Sequence, residues 1–224
     1  MKAMDVMVRN VLTVKPDTSV AEVARLLLEH DISAVPVVDD HGKMVGIISE
    51  ADLMRRVEIG TEKQRPWWLE AMTPATTLAN EFAKSHGKRV AELMSPQVVS
   101  ASEDTPLIEI ATLLERHQIK RVPITKDGKL VGVVSRSNII QALASSKEEP
   151  DSERQSDRAI RLEVLARLGK QRWTDFGSRN VIVAGGVVHL WGLVGSAEER
   201  KALMSLAEDV PGVTAVVDEM IAAY

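Results

Sequence analysis

The 224-residue chain predicts an α+β protein made of two copies of one small unit and a third segment of different pattern. Three observations predict this. The stretch Gly46-Ile-Ile-Ser-Glu-Ala-Asp52 returns as Gly132-Val-Val-Ser-Arg-Ser-Asn138. Short β-branched runs alternate with apolar residues at helical spacing across both copies. Beyond Pro150 the order changes to helix, strand, strand, helix, strand.

The duplication is read directly. At an offset of 87 positions Met7 meets Met94, Val11 meets Val98, Thr13 meets Ser100, and Asp17-Thr18 meets Asp104-Thr105. His30, Ile32, Val35 and Pro36 meet His117, Ile119, Val122 and Pro123. One deletion in a turn changes the offset to 86, and Gly46, Ser49 and Asp52 then meet Gly132, Ser135 and Asn138.

Each copy opens on a short strand, Val11–Val14 in the first. Thr18 is expected to cap the next helix. Thr105 does the same ahead of Pro106, a residue suited to the first helical position. Val20, Val23, Ala24 and Leu27, like Leu107, Ile110, Ala111 and Leu114, follow i, i+3, i+4, i+7 spacing and give one apolar face. Val35–Val38 and Val122–Ile124 are strands. Asp40-His41-Gly42 and Lys126-Asp127-Gly128 are turns, Val45–Ile48 and Val131–Val134 the returning strands, and a second helix follows. One copy is too small to bury both faces of its sheet, so the two are expected to pair about a pseudo-twofold axis.

The serine of each Gly-h-h-Ser corner stands where a strand hands over to a helix. Ser-x-x-Asp is a capping box. The same corner suits a ligand with phosphates and a ribose: N–H groups and serine for phosphate, the carboxylate for the diol.

Residues 57–92 form a helical insert between the copies. Leu78, Phe82 and Ala83 mark a helix face, and Gly87 a stop. Trp67 and Trp68 have two readings: packing on the module or a neighbouring subunit, or a lid over a purine. Residues 145–156 read as a polar linker broken by Pro150. Ile160, Val164 and Leu168 then mark a helix. Val181–Ala184 and Val187–Val194 are strands around a Gly185-Gly186 turn, and Ser196-Ala-Glu-Glu199 is a capping box. Leu203, Leu206 and Val210 give a helix face, and Pro211-Gly212 leads into a strand over Val213–Asp218.

Composition excludes several functions. The net charge of −4 and seven aromatic residues argue against a nucleic-acid partner. With no cysteine there is no disulfide, thiolate catalysis or cysteine zinc site. The N-terminus is no signal peptide and no apolar run suffices to span a bilayer, so a cytoplasmic location is expected. His30, His41, His86, His117 and His189 show no metal spacing. His30 and His117 read as helix-end residues, and His189 as lying on the sheet's more exposed face. Ser49 and Ser135 lack a nearby histidine, and G-x-S-x-G, Walker and GxGxxG patterns are absent. No enzyme is expected.

The motifs Met-x-x-x-Val at Met7 and Met94, Ile-x-x-Val-Pro at Ile32–Pro36 and Ile119–Pro123, and Gly-h-h-Ser-x-x-Asp/Asn resemble those of cystathionine-β-synthase (CBS) domains, which pair as Bateman modules. The fold class expected is two CBS βαββα units, residues 1–56 and 93–144, plus a small αββαβ domain at 157–222. That last segment resembles a BON domain, through Gly185–Gly195, the capped helix and Val210–Val216.

The CBS resemblance implies an adenine nucleotide (AMP, ADP, ATP or NAD-like) as regulatory ligand, with no cofactor required. In one cleft Ser49 would hold phosphate and Asp52 the ribose hydroxyls, with adenine near Val11, Thr13, Ala34 and Val35. The other would use Val98, Ser100, Arg121, Val122, Ser135 and Asn138. Asn138 lacks the charge of Asp52 and should bind more weakly. Lys120, Arg121 and Arg136 replace Ser33, Ala34 and Glu50 and concentrate positive charge on the second copy. A homodimer through the CBS pair is implied, with occupancy relayed to the BON domain or a partner. Two alternatives stand beside this: a ligand-independent dimeric scaffold, and phospholipid binding through the BON sheet with Trp191 as anchor.

Overall fold

Short apolar segments set the architecture. The computed structural model describes residues 1–62, 66–145, 151–174 and 180–223. In chain order come α1 (Ala3–Val6), α2 (Val20–Glu29), β1 (Ala34–Val38), β2 (Met44–Ser49), α3 (Glu50–Leu53), α4 (Trp67–Ala71), α5 (Ala75–His86) and α6 (Val90–Leu93). Next are β3 (Ala101–Ser102), α7 (Leu107–Arg116), β4 (Arg121–Lys126), β5 (Lys129–Ser135) and α8 (Arg136–Ser145). The chain closes with α9 (Asp151–Leu168), β6 (Asn180–Ala184), β7 (Val187–Val194), α10 (Ala197–Glu208) and β8 (Ala215–Ala222). The mixed content and the αββαβ order of the last segment agree with the sequence reading.

The chain divides into two units. One takes in Leu12–Val98 and Asp127–Leu130. In it β1 and β2 pair antiparallel, with Ala34 opposite Ser49 and Val35 opposite Ile48. Val14 adds a parallel bridge to Val37. Val23, Leu27, Val35, Val37, Ile48, Val90 and Leu93 form its core. The last two come from α6, whose chain continues into an antiparallel bridge between Ser95 and Ile47. Here Gly46 matters for space. A Cβ on it would lie 2.7 Å from Met94 Sδ and 3.0 Å from the Ser95 carbonyl oxygen.

The other unit takes in Met1–Val11, Val99–Lys126 and Val131–Tyr224. β3 is parallel to β4, and β5 lies on the other side of β4. Ala3, Val6, Met7, Ile110, Leu114, Val122, Ile124 and Val134 form its first core. Val8 bridges antiparallel to Val133, and Met7 covers Gly132. Each copy's opening turn is therefore packed with the other copy's strands. In the BON segment β6 is antiparallel and β8 parallel to β7. Val164, Leu168, Val181, Val188, Leu190, Leu203 and Met220 fill a second core between this sheet and α9 and α10. Gly185 and Gly186 take the positive φ of a tight turn, at 57° and 74°. Both N–H groups donate to the buried Asp157 carboxylate, at 3.0 and 2.9 Å.

Several expectations need correction. Ser19, not Thr18, caps α2: its Oγ accepts from Glu22 N–H at 3.2 Å, while Thr18 Oγ1 accepts from Lys15 N–H at 3.0 Å. In the second copy Thr105 Oγ1 likewise accepts from Ser102 N–H, and Pro106 takes the cap position. The strand expected at Val11–Val14 reduces to the Val14 bridge, because Val14 alone of the four is buried. Helix α9 starts at Asp151, inside the expected linker, of which residues 146–150 lie outside the described residues. β8 runs to Ala222, beyond the strand expected to stop at Asp218. Trp67 and Trp68 are 81% and 54% exposed, so neither is buried in the module's core. His189 is buried, with Nδ1 3.8 Å from Glu219 Oε1, rather than on an exposed face.

Candidate functional site: two capped corners

The first corner is a carboxylate held by the turn it caps. Asp52 Oδ2 accepts from Ser49 N–H at 3.0 Å and from Ser49 Oγ at 2.8 Å. The Glu50 N–H donates to the Ser33 carbonyl at 3.0 Å. Much of the polarity expected for phosphate is thus already used by the cap. Asp52 Oδ1 faces Lys84 Nζ at 3.6 Å, and the Asp52 side chain is 15% exposed. Lys84 lies on α5, in the insert.

A buried arginine fixes that meeting. Arg56 is 4% exposed; its Nη1 donates to the Lys84 carbonyl at 2.8 Å and its Nη2 to the Gly87 carbonyl at 2.6 Å. Glu58 balances its charge through Nε and Nη2. The Arg56 bonds lower the Glu58 carboxyl below its ordinary range. The insert is pinned beside α3 by a residue the sequence reading passed over.

The second corner repeats the cap with an amide. Asn138 Oδ1 accepts from Ser135 N–H and Oγ, both at 2.8 Å. Asn138 is 5% exposed. Its Nδ2 donates to Gln141 Oε1 at 3.2 Å, and the same oxygen accepts from Asn180 Nδ2 at 3.1 Å. Asn180, on β6, also donates to the Val6 carbonyl at 2.9 Å. A polar path therefore runs from this corner into the BON segment.

Arg161 of α9 continues it. Its guanidinium donates to the carbonyls of Val181 (2.6 Å), Met4 (2.9 Å) and Met7 (2.7 Å) and to Asn180 Oδ1 (3.2 Å). Burial lowers its pKa to about 10, with Arg9 adding and Asp5 opposing, so it stays charged at neutral pH. Arg158 binds Asp5 through two bonds of 2.6 and 3.1 Å. On the sheet face, Ile182 is buried in the second copy's core and Trp191 packs against it. The Trp191 indole N–H donates to Ser145 Oγ at 3.2 Å. The anchor expected for a lipid surface is engaged within the protein.

The remaining expected site residues divide between the units. Thr13, Ala34, Val35 and Val98 belong with the Asp52 corner. Val11, Ser100, Lys120, Arg121, Val122 and Arg136 belong with the Asn138 corner. Val11 thus falls in the unit of the Asn138 corner and Val98 in that of the Asp52 corner, because the turns preceding them pair with the other copy. The Val35 and Val122 side chains are buried in the cores, which leaves only their backbone to meet a ligand. Thr13, Ser100, Lys120 and Arg136 are exposed. Chemically, these corners offer acceptors, hydroxyls and cations. Among the described residues no cluster of His, Asp or Glu is placed to hold a metal ion.

The CBS domain family matches residues 3–59 and 90–145, and the BON domain family matches residues 156–223. The chain is 32% identical over 150 residues to the CBS domain-containing protein CBSX2, chloroplastic, of Arabidopsis thaliana, covering 64% of this chain and 63% of that protein. It is 33% identical over 144 residues to CBSX1, chloroplastic, of the same plant, covering 62% and 61%. The chain thus spans 61–63% of the length of these two relatives. The crystal structure of CBSX2 in complex with AMP superposes with a TM-score of 0.55 at 32% identity, over 64% of this chain and 96% of that one. Both capped corners fall inside the matched segments, and the protein belongs to the CBS domain family, with two CBS domains followed by a C-terminal BON domain.

Proposed function

We propose that this protein is a regulatory adenine-nucleotide-binding CBS pair that relays occupancy to its BON domain or to a partner. The observation that carries the reading is Asp52: a half-buried carboxylate, fixed by its own serine, with Oδ1 turned away from the cap. Two ribose hydroxyls donating to it make charge-assisted bonds. The AMP complex of CBSX2 supports the ligand class. Ser49 takes phosphate, and the backbone of Ala34 and Val35, beside Thr13, meets the base. Val11, Ser100, Lys120, Arg121, Val122, Ser135 and Arg136 serve a second, weaker site, because Asn138 spends its amide on Gln141. The path through Gln141, Asn180 and Arg161 supports a relay from this corner to the BON domain. The ligand acts only through its different affinity for two arrangements.

Exposed apolar side chains support the homodimer: Leu28 and Met54 in one unit, Ile108, Ile140 and Leu143 in the other. Calorimetric titration with AMP, ADP, ATP and NAD tests the ligand, and light scattering tests the dimer. Saturable binding of at least one adenylate is expected. A dimer blind to all four would leave the scaffold reading in its place.

A further inference from the structure

We infer that Lys84 sets the ligand class of the Asp52 corner: it favours phosphorylated nucleosides over unphosphorylated ones. The inference rests on the adenylate reading above and deepens it. Its ground is the count of acceptors. Asp52 Oδ2 already takes two donors from Ser49, at 3.0 and 2.8 Å. Oδ1 faces the Lys84 ammonium at 3.6 Å. A diol that donates to this carboxylate meets Lys84 there.

The two ligand classes then differ in what they return. A neutral nucleoside draws the carboxylate away from the ammonium and offers that charge nothing. A nucleotide offers a phosphate, an anionic acceptor on the same molecule. The Lys84 backbone is fixed, since Arg56 Nη1 holds its carbonyl at 2.8 Å. Its side chain is 47% exposed, against 15% for Asp52, so the ammonium swings from carboxylate to phosphate without opening a core. A lysine, with a compact charge on a flexible stem, suits that exchange. The segment that carries Lys84 occurs once, between the copies, and among the described residues the second corner has no lysine paired with Asn138.

AMP and adenosine are titrated calorimetrically into the full chain carrying wild-type Lys84, Lys84→Met, Lys84→Gln or Lys84→Arg. Wild type is expected to prefer AMP. Lys84→Met and Lys84→Gln weaken AMP and strengthen adenosine, each about threefold, so the preference falls roughly tenfold. Lys84→Arg retains it. An unchanged preference in the Met and Gln variants overturns the inference and leaves the adenylate reading standing. Wild-type protein that binds neither compound overturns both.

Discussion

Asp52 and Asn138 do the same local work with different charge. Each accepts from the N–H and the hydroxyl of its own serine. Asp52→Asn should therefore keep the α3 capping box, because Asn138 makes the same two bonds in the second copy. Its thermal midpoint should match wild type, while AMP affinity falls about tenfold with the charge-assisted bonds. Asp52→Ala should lose binding and about 1 kcal/mol of stability as well. Arg161 makes the opposite case. Arg161→Met leaves three carbonyls, two of them in buried bonds, without this donor, and chemical denaturation should show a loss of about 3 kcal/mol. The Ser-x-x-Asp corner was legible because its partners are three residues apart. Lys84 and Arg161 were not. Their partners lie far along the chain, and Arg161 binds main-chain carbonyls, which any sequence supplies.

At the scale of elements, the repeat made the helices and returning strands legible, and β7 was bounded to the residue. The opening turns were not. Only the structure shows α1 beside β5 and α6 beside β2 in separate units. The Gly46 and Gly132 backbones run where Met94 and Met7 must lie. Gly46→Ala is expected to cost about 1–3 kcal/mol by urea denaturation, since the Ser95 carbonyl as well as Met94 stands in the way. The caps were misplaced by one residue because Thr18 and Ser19 both suit that position, and Thr18 instead closes the turn from Lys15. Asp5 ties α1 to α9. Burial alone would raise its pKa, but the bonds from Arg158 and from the Lys2 N–H outweigh it and the pKa is lowered. Stability from this pair is therefore present above the unfolded carboxylate value and lost as pH falls through the folded one. Denaturation midpoints should drop below about pH 4 in wild type, and less in Asp5→Asn.

At the scale of the whole molecule, the BON segment shares a unit with the second CBS copy. Ile182 completes the CBS core, Trp191 is bonded to Ser145, and Arg161 grips the N-terminal turn. The order of elements within the BON segment was legible from periodicity. Its attachment was not, because the polar residues that make it lie in both domains. If Gln141 carries the relay, Gln141→Ala should leave saturable AMP binding at the Asp52 corner in place. It should also abolish the ligand-dependent change in amide exchange over β6, which wild type is expected to show.

The central claim is that the Asp52 corner binds an adenylate as well as starting a helix. Calorimetric titration of AMP into wild type and Asp52→Asn tests it most directly. Saturable heat in wild type, with affinity reduced about tenfold in the equally stable variant, is the predicted result. No heat in wild type, or equal affinity in the two proteins, would contradict it.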